Sequence, residues 1–252
     1  MANDTAVNAA ASGPEALGEF VNEESIIRME SEIIDIIFGR KESKVHCRFV
    51  FRSGKTTGDA VQTLGFPDHP DEEQDVGAIL KMTTKVDGVE VAVKKEKGWC
   101  GRGPNSQARL GTPPPGVEAS VTDYHTMVVK FPPDRDVIVE REYTASNGGS
   151  VRGESTFDYT TRTGGIWRGT IGRAEFRVTL DGWTVDDLAF EDGPQKIQPW
   201  AQLSYSSPNR SEWKVVSPTE LKLVWENFEP AVHHSRRYIN LTTWIDQRRS
   251  KP

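Results

Sequence analysis

The stretch Lys44-Val45-His46-Cys47-Arg48-Phe49-Val50-Phe51-Arg52 alternates along its length. Val45, Cys47, Phe49 and Phe51 fall on one side, and His46, Arg48 and Arg52 on the other. A period of two places alternate side chains on opposite faces of a pleated strand, so the segment reads as a half-buried β-strand. The segment before it, Ser25 to Phe38, is rich in Ile and ends at Gly39. Glu23, Glu24, Glu30 and Glu32 would tolerate a helix there, but β-branched residues and a terminal Phe suit a pleated surface better. Downstream, Ser53-Gly54-Lys55 is a turn, and Ala60 to Phe66 is a short strand stopped by Pro67.

The same pattern continues through the chain. Asp87-Gly88 is a hairpin signal, with Val89, Val91 and Val93 alternating after it. Further strands are expected over Tyr124 to Phe131, Val137 to Tyr143, Ser155 to Thr161, Ala174 to Leu180, Gln202 to Tyr205, Leu221 to Trp225 and Tyr238 to Ile245. Asn147-Gly148-Gly149 and Asp181-Gly182 mark turns, and Asp186-Asp187-Leu188 offers at most a short helical turn. Short strands at such spacing predict an all-β chain of two tandem or intimately packed antiparallel β-sandwich modules. The irregular stretch 98–118, with Gly98, Gly101, Gly103, Gly111 and Pro113-Pro114-Pro115-Gly116, reads as a stiff connector. It divides the chain into a polar lead-in (1–24), an N-terminal module (25–112), a C-terminal module (113–246) and a basic tail (247–252).

Composition excludes several classes. A net charge of −6 without a basic stripe argues against nucleic acid as a partner. Two Cys among 252 residues exclude a disulfide-dense scaffold and a Cys-rich zinc site. Apolar runs are too short for a membrane-spanning helix. The start, Met1-Ala2-Asn3-Asp4-Thr5, lacks the basic and apolar regions of a signal peptide, which fits either a cytoplasmic chain or a mature exported one.

Candidate sites follow from residue chemistry. Cys47 is either a buried thiol or the partner of Cys100 in a disulfide, Cys100 lying in the Gly-rich loop Gly98 to Gly103. Trp99 and Trp183 stand beside Gly in turns, where a ring can stack on a sugar or simply pin a loop. In the acidic loop 67–77, Asp68, His69, Asp71 and Asp75 offer ligands for calcium or a transition metal. The spacing does not match a calcium-loop pattern, and a solvated acidic loop is the plainer reading, because charge runs are usually solvated. Gly153-Glu154-Ser155-Thr156-Phe157 lacks the second Gly of a nucleophile elbow, and Ser155 reads as the start of a strand. Glu140 with Glu142, and Glu226 with Glu229, are carboxylate pairs that nothing brings across a cleft. No catalytic residue is assigned and no cofactor is predicted.

Four segments carry a resemblance. They are Ile27-Arg28-Met29-Glu30-Ser31-Glu32, Leu64-Gly65-Phe66-Pro67, Thr163-Gly164-Gly165-Ile166-Trp167-Arg168-Gly169-Thr170-Ile171-Gly172, and Trp225-Glu226-Asn227-Phe228-Glu229-Pro230. Their order and spacing, over residues 25–245, resemble an uncharacterised group of exported bacterial β-sandwich proteins. The resemblance implies an exported all-β chain and no activity. The expected function is therefore non-catalytic, a binding or structural role at the cell envelope or outside the cell, with a glycan or an envelope protein as partner. A carbohydrate-active or other hydrolase with a carboxylate and aromatic cleft is the alternative, and a metal-binding role for 68–75 the second.

Overall fold

The computed structural model describes residues 10–12, 15–17, 26–54, 58–68, 79–101, 108–149, 154–161, 167–190, 208–229 and 238–243. Among these described residues seventeen strands run in chain order: β1 (Ala10–Ser12), β2 (Glu15–Leu17), β3 (Ile27–Phe38), β4 (Glu42–Ser53), β5 (Ala60–Asp68), β6 (Ile79–Val86), β7 (Val89–Glu90), β8 (Lys94–Gly101), β9 (Ala108–Leu110), β10 (Ala119–Phe131), β11 (Asp136–Ser146), β12 (Gly148–Gly149), β13 (Ser155–Thr160), β14 (Ile171–Leu180), β15 (Lys214–Ser217), β16 (Glu220–Phe228) and β17 (Tyr238–Thr242). The only helical pieces among the described residues are two single turns, Val185–Asp187 and Arg210–Glu212. The all-β reading holds, and the expected short turn at Asp186-Asp187 is one of these two.

Three sheets share the strands. A large sheet has the order β15-β16-β14-β3-β4-β11-β6-β7, a five-stranded sheet the order β2-β5-β10-β8-β9, and a small sheet gathers β1, β12 and β17 around β13. Most pairs are antiparallel, but β14 runs parallel to β3 and β1 parallel to β13, which strand alternation alone does not reveal. β4 buries Val45, Cys47, Phe49 and Phe51 on one face, as its alternation requires. At the β6–β7 hairpin, Asp87 and Gly88 both take positive φ, the two-residue turn that matches strand twist.

The expected boundary at 112/113 does not separate the sheets. The large sheet interleaves β3, β4, β6 and β7 with β11, β14, β15 and β16. The strands that the described residues of 98–118 join, β8, β9 and β10, are neighbours in one sheet. One apolar cluster runs through all three sheets. Phe51 of the large sheet meets Phe131 of the five-stranded sheet at 5.8 Å, and Phe176 of the large sheet meets Tyr159 of the small sheet at 6.2 Å. Trp167 is buried against Phe51, with ring centroids 4.7 Å apart. β5 continues past Pro67 to Asp68, because β2 pairs only with Thr63 to Gly65 and Pro67 needs no ladder donor on that side.

β3 carries one irregularity. Met29 pairs with Phe51 and Ser31 with Val50, so Glu30 is an extra residue, a β-bulge. Before it, Ile27 and Met29 point inward; after it, Glu32, Ile34, Ile36 and Phe38 do. Gly172 on the neighbouring β14 makes room for the bulge, since a Cβ there would lie 2.6 Å from the Glu30 carbonyl oxygen.

Candidate functional site

The inner face of the large sheet carries polar groups in the middle of an apolar surface. By register, Ile34, Cys47, Arg141 and Thr84 form one row across β3, β4, β11 and β6. Glu32, Phe49 and Val139 form the row on one side; Ile36, Val45 and Tyr143 form the row on the other. Arg141 is 1% exposed, Glu32 and Thr84 2%, and Cys47 not at all. Glu32 faces inward only because the bulge reverses the alternation of β3.

The overlying sheets close on this set. Phe66 of β5 lies under the Arg141 guanidinium, whose central carbon is 3.8 Å from the ring centroid and 5.6 Å from that of Tyr143. A guanidinium on a ring face keeps its edge free for hydrogen bonds in its own plane. Tyr159 comes from the small sheet and stands with Tyr143 beside the Cys47 thiol. All three Arg141 nitrogens, Glu32 Oε1 and the Thr84 hydroxyl are buried with no hydrogen-bond partner among the described residues, while the buried hydroxyls of Tyr143 and Tyr159 have only the weakly bonding Cys47 thiol beside them.

Burial sets the protonation of these groups. It pushes the Glu32 carboxyl up to about 8, so that at neutral pH it is mostly a neutral acid. It pushes the Cys47 thiol up to about 12, against the opposing pull of Arg141 and Tyr159. It brings Arg141 down to about 10, which still leaves a cation at pH 7. Tyr143 and Tyr159 are raised well above their ordinary value, again by burial. The cluster therefore holds one positive charge and several hydroxyl or acid donors.

Asp68 ends β5 on the same inner face as Phe66 and is 3% exposed. Its Oδ2 meets Lys95 Nζ at 3.3 Å and His125 Nε2 at 3.2 Å, while its Oδ1 is buried without a partner among the described residues. Burial raises this carboxyl, but the His125 hydrogen bond and the Lys95 charge outweigh it and hold it below the usual range. The negative charge of Asp68 is thus bonded to Lys95 and acts on Arg141 only through space, so the Arg141 guanidinium has no acceptor within bonding distance among the described residues.

The residues singled out from sequence are placed elsewhere or otherwise engaged. Trp99 on β8 is 9% exposed and has Arg109 5.6 Å from its ring; Trp183, in the loop after β14, has Arg40 stacked at 4.2 Å. The two sit on separate elements and form no shared aromatic face. His69, Asp71 and Asp75 lie outside the described residues, and Asp68 is committed to Lys95 and His125. No group of three metal-binding side chains occurs among the described residues. Cys47 is a free thiol in the core, and the side chain of Cys100, its expected partner, lies outside the described ones. Ser155 opens β13 and donates to the Arg40 carbonyl at 2.6 Å, a strand-anchoring bond. Glu140 and Glu142 alternate with the inward residues of β11 and face outward; Glu226 is bonded to Arg173.

Sequence reasoning does not single out Arg141, Glu32, Thr84, Tyr143 or Tyr159. Arg141 carries a signal all the same: in Val137-Ile138-Val139-Glu140-Arg141-Glu142-Tyr143 it keeps phase with Val137, Val139 and Tyr143, a charge on the apolar face. Glu32 is marked as inward only by the switch from odd to even apolar positions along β3.

No protein-family model matches the chain, and no curated protein does. Among solved structures it is similar to a candidate nutrient binding protein from Legionella pneumophila, with 16% identity, a TM-score of 0.66, and coverage of 95% of this chain and 72% of that one. The two share a fold. A two-domain M1 zinc metallopeptidase bound to L-arginine aligns at 7% identity and a TM-score of 0.39, over 91% of this chain and 45% of the enzyme. Legionella pneumophila aminopeptidase A with aspartic acid aligns at 10% and 0.33, over 91% of this chain and 22% of the enzyme. Neither of these enzyme alignments is close enough to carry an argument about this chain.

Proposed function

We propose that this chain is a non-catalytic binding protein that holds a small molecule between its large sheet and the overlying sheets, at Arg141. The observation that carries the reading is the Arg141 guanidinium, buried with all three nitrogens lacking an acceptor among the described residues. A buried cation without a partner costs several kcal/mol, on the order of 3–5, so a native fold that keeps one supplies an acceptor from elsewhere. A bound ligand is such an acceptor. The Legionella protein of the same fold is named for nutrient binding, which agrees with a binding role.

Chemistry at the site supports binding over turnover. Cys47 is held as a thiol and Glu32 as a neutral acid, so both serve as donors rather than as a nucleophile or base at neutral pH. The reading places the protein at the cell envelope or outside the cell, in keeping with the resemblance of its ordered motifs to exported β-sandwich proteins.

A thermal-shift panel of organic acids, alcohols, sugars and amines tests the proposal on the full chain. Stabilisation by at least one class, lost on Arg141→Met, is expected. No stabilisation by any class, or turnover of ester or glycoside substrates abolished by one carboxylate substitution, contradicts it. Fractionation of the source cells tests the location, with the protein expected outside the cytoplasm.

A further inference from the structure

The groups around Arg141 also define what kind of molecule fits. We infer that the ligand is a monocarboxylate with an apolar body, its carboxylate paired in plane with the Arg141 guanidinium. The inference rests on the reading of this interior as a ligand site.

Three observations carry it. First, the unpaired set is almost all donors: the guanidinium, the Thr84 hydroxyl and the Glu32 acid, with the hydroxyls of Tyr143 and Tyr159 held only by the weak Cys47 thiol. A guest must therefore bring acceptors, and a carboxylate matches the planar fork of a guanidinium with two parallel bonds. Phe66 covers one guanidinium face at 3.8 Å, which leaves the edge as the place for that pairing. Second, the charge count allows one negative charge. Arg141 feels the Asp68 charge through space but has no bonded acceptor among the described residues; Lys95 is already shared between Asp68 and Asp123, and Lys97 also faces Asp123. A dianionic phosphate would leave one charge unmet in a buried site. Third, beyond the donors the neighbours are apolar: Phe49, Val139 and Phe66 are buried beside Arg141 by register or contact, and Ile34 lies one strand further along the same row. Such walls suit hydrocarbon and reject a polyhydroxylated body.

Toward solvent, the same inner face leads from Asp68 to His125 and then to Lys95 and Lys97, whose side chains are 51% and 73% exposed. Asp68 Oδ1, buried and without a partner among the described residues, accepts from a neutral donor on the guest if one is present.

Octanoate, octanol and octyl phosphate, titrated calorimetrically into the full chain, separate the possibilities. Octanoate is expected to bind, octyl phosphate to bind about tenfold or more weakly, and octanol more weakly still. Arg141→Met, shown folded by circular dichroism, is expected to lose at least about tenfold of the octanoate affinity. Where that variant does not fold, carbon-13 spectra of carboxyl-labelled octanoate on the native protein give the answer. The bound carboxyl is expected to titrate below free octanoate, and an unshifted titration overturns the inference. Octanol binding as tightly as octanoate overturns the carboxylate and leaves the interior as a binding site. Failure of octanoate while another class from the thermal-shift panel binds also overturns the inference alone; failure of every class overturns the binding reading with it.

Discussion

The Arg141 guanidinium lies 3.8 Å over the ring of Phe66, one from the large sheet and the other from the five-stranded sheet that covers it. Stacking on a ring offsets part of the cost of burying the cation, about 2 kcal/mol when fully desolvated. That is less than the several kcal/mol an unpaired buried ion costs. Without a ligand, Arg141 is therefore a net burden on the fold.

Arg141→Met should leave the ligand-free protein as stable as before, or more stable by roughly 1–4 kcal/mol, because an apolar side chain of similar length replaces a buried charge with no bonded acceptor among the described residues. Urea denaturation measures it. A loss of several kcal/mol would mean that Arg141 is a structural cation with a protein acceptor.

Glu32 gives a pH signature. Its folded value of about 8 stands above the ordinary 4.5, so the folded state holds the proton that the unfolded chain has lost. The contribution of Glu32 to stability is present below about pH 4.5 and is lost as pH rises toward 8, by up to about 1.4 kcal/mol per pH unit. Glu32→Gln should remove that slope. The two proteins should unfold alike near pH 4.5, and the variant should be the more stable near pH 8. Parallel urea midpoints across this range would show Glu32 to be in contact with solvent or a cation.

Glu175 should behave in the opposite sense. Burial raises its carboxyl, but hydrogen bonds from Lys222, Arg173 and Arg177 bring it down to about 2. Its stabilising contribution is present above the unfolded value near 4.5 and is lost as pH falls toward 2. Glu175→Gln should cost ~1–3 kcal/mol at pH 7 and progressively less in acid. Calorimetric unfolding at a series of pH values checks this, and an equal cost at pH 7 and pH 2 would refute it.

Much of the strand content was legible because alternation is local: β4 and β11 announce their own faces in Val45-Cys47-Phe49-Phe51 and Val137-Val139-Tyr143. The site was not, because it depends on pairing between distant segments. Nothing near Cys47 in sequence says that Arg141 sits opposite it, or that β14 runs parallel beside β3. The Gly and Pro of 98–118 suggested a boundary, yet β8, β9 and β10 stay in one sheet, since turn residues mark chain reversal and not the limit of a core. Trp99 and Trp183 drew attention by residue type, whereas the unpaired groups became visible only with burial.

The bulge that aims Glu32 inward depends on Gly172. Gly172→Ala would set a Cβ 2.6 Å from the Glu30 carbonyl oxygen, backbone that cannot swing aside. A cost of about 1–3 kcal/mol is expected from such overpacking. Thermal unfolding measures it, and an unchanged midpoint would show the β3–β14 contact to be looser than described.

Cys47 should be silent to thiol reagents in the native protein. Under denaturing, non-reducing conditions two thiols per chain should react, since Cys47 is free and the chain has two Cys. A count of zero would restore the bridge between Cys47 and Cys100.

The most direct test is a crystal structure of the full chain grown with octanoate. A carboxylate is expected with both oxygens about 2.7–2.9 Å from the Arg141 guanidinium nitrogens, in the guanidinium plane, and a hydrocarbon body on the apolar walls. A guanidinium hydrogen-bonded to a side chain or carbonyl of the protein itself, with no octanoate beside it, would contradict the claim.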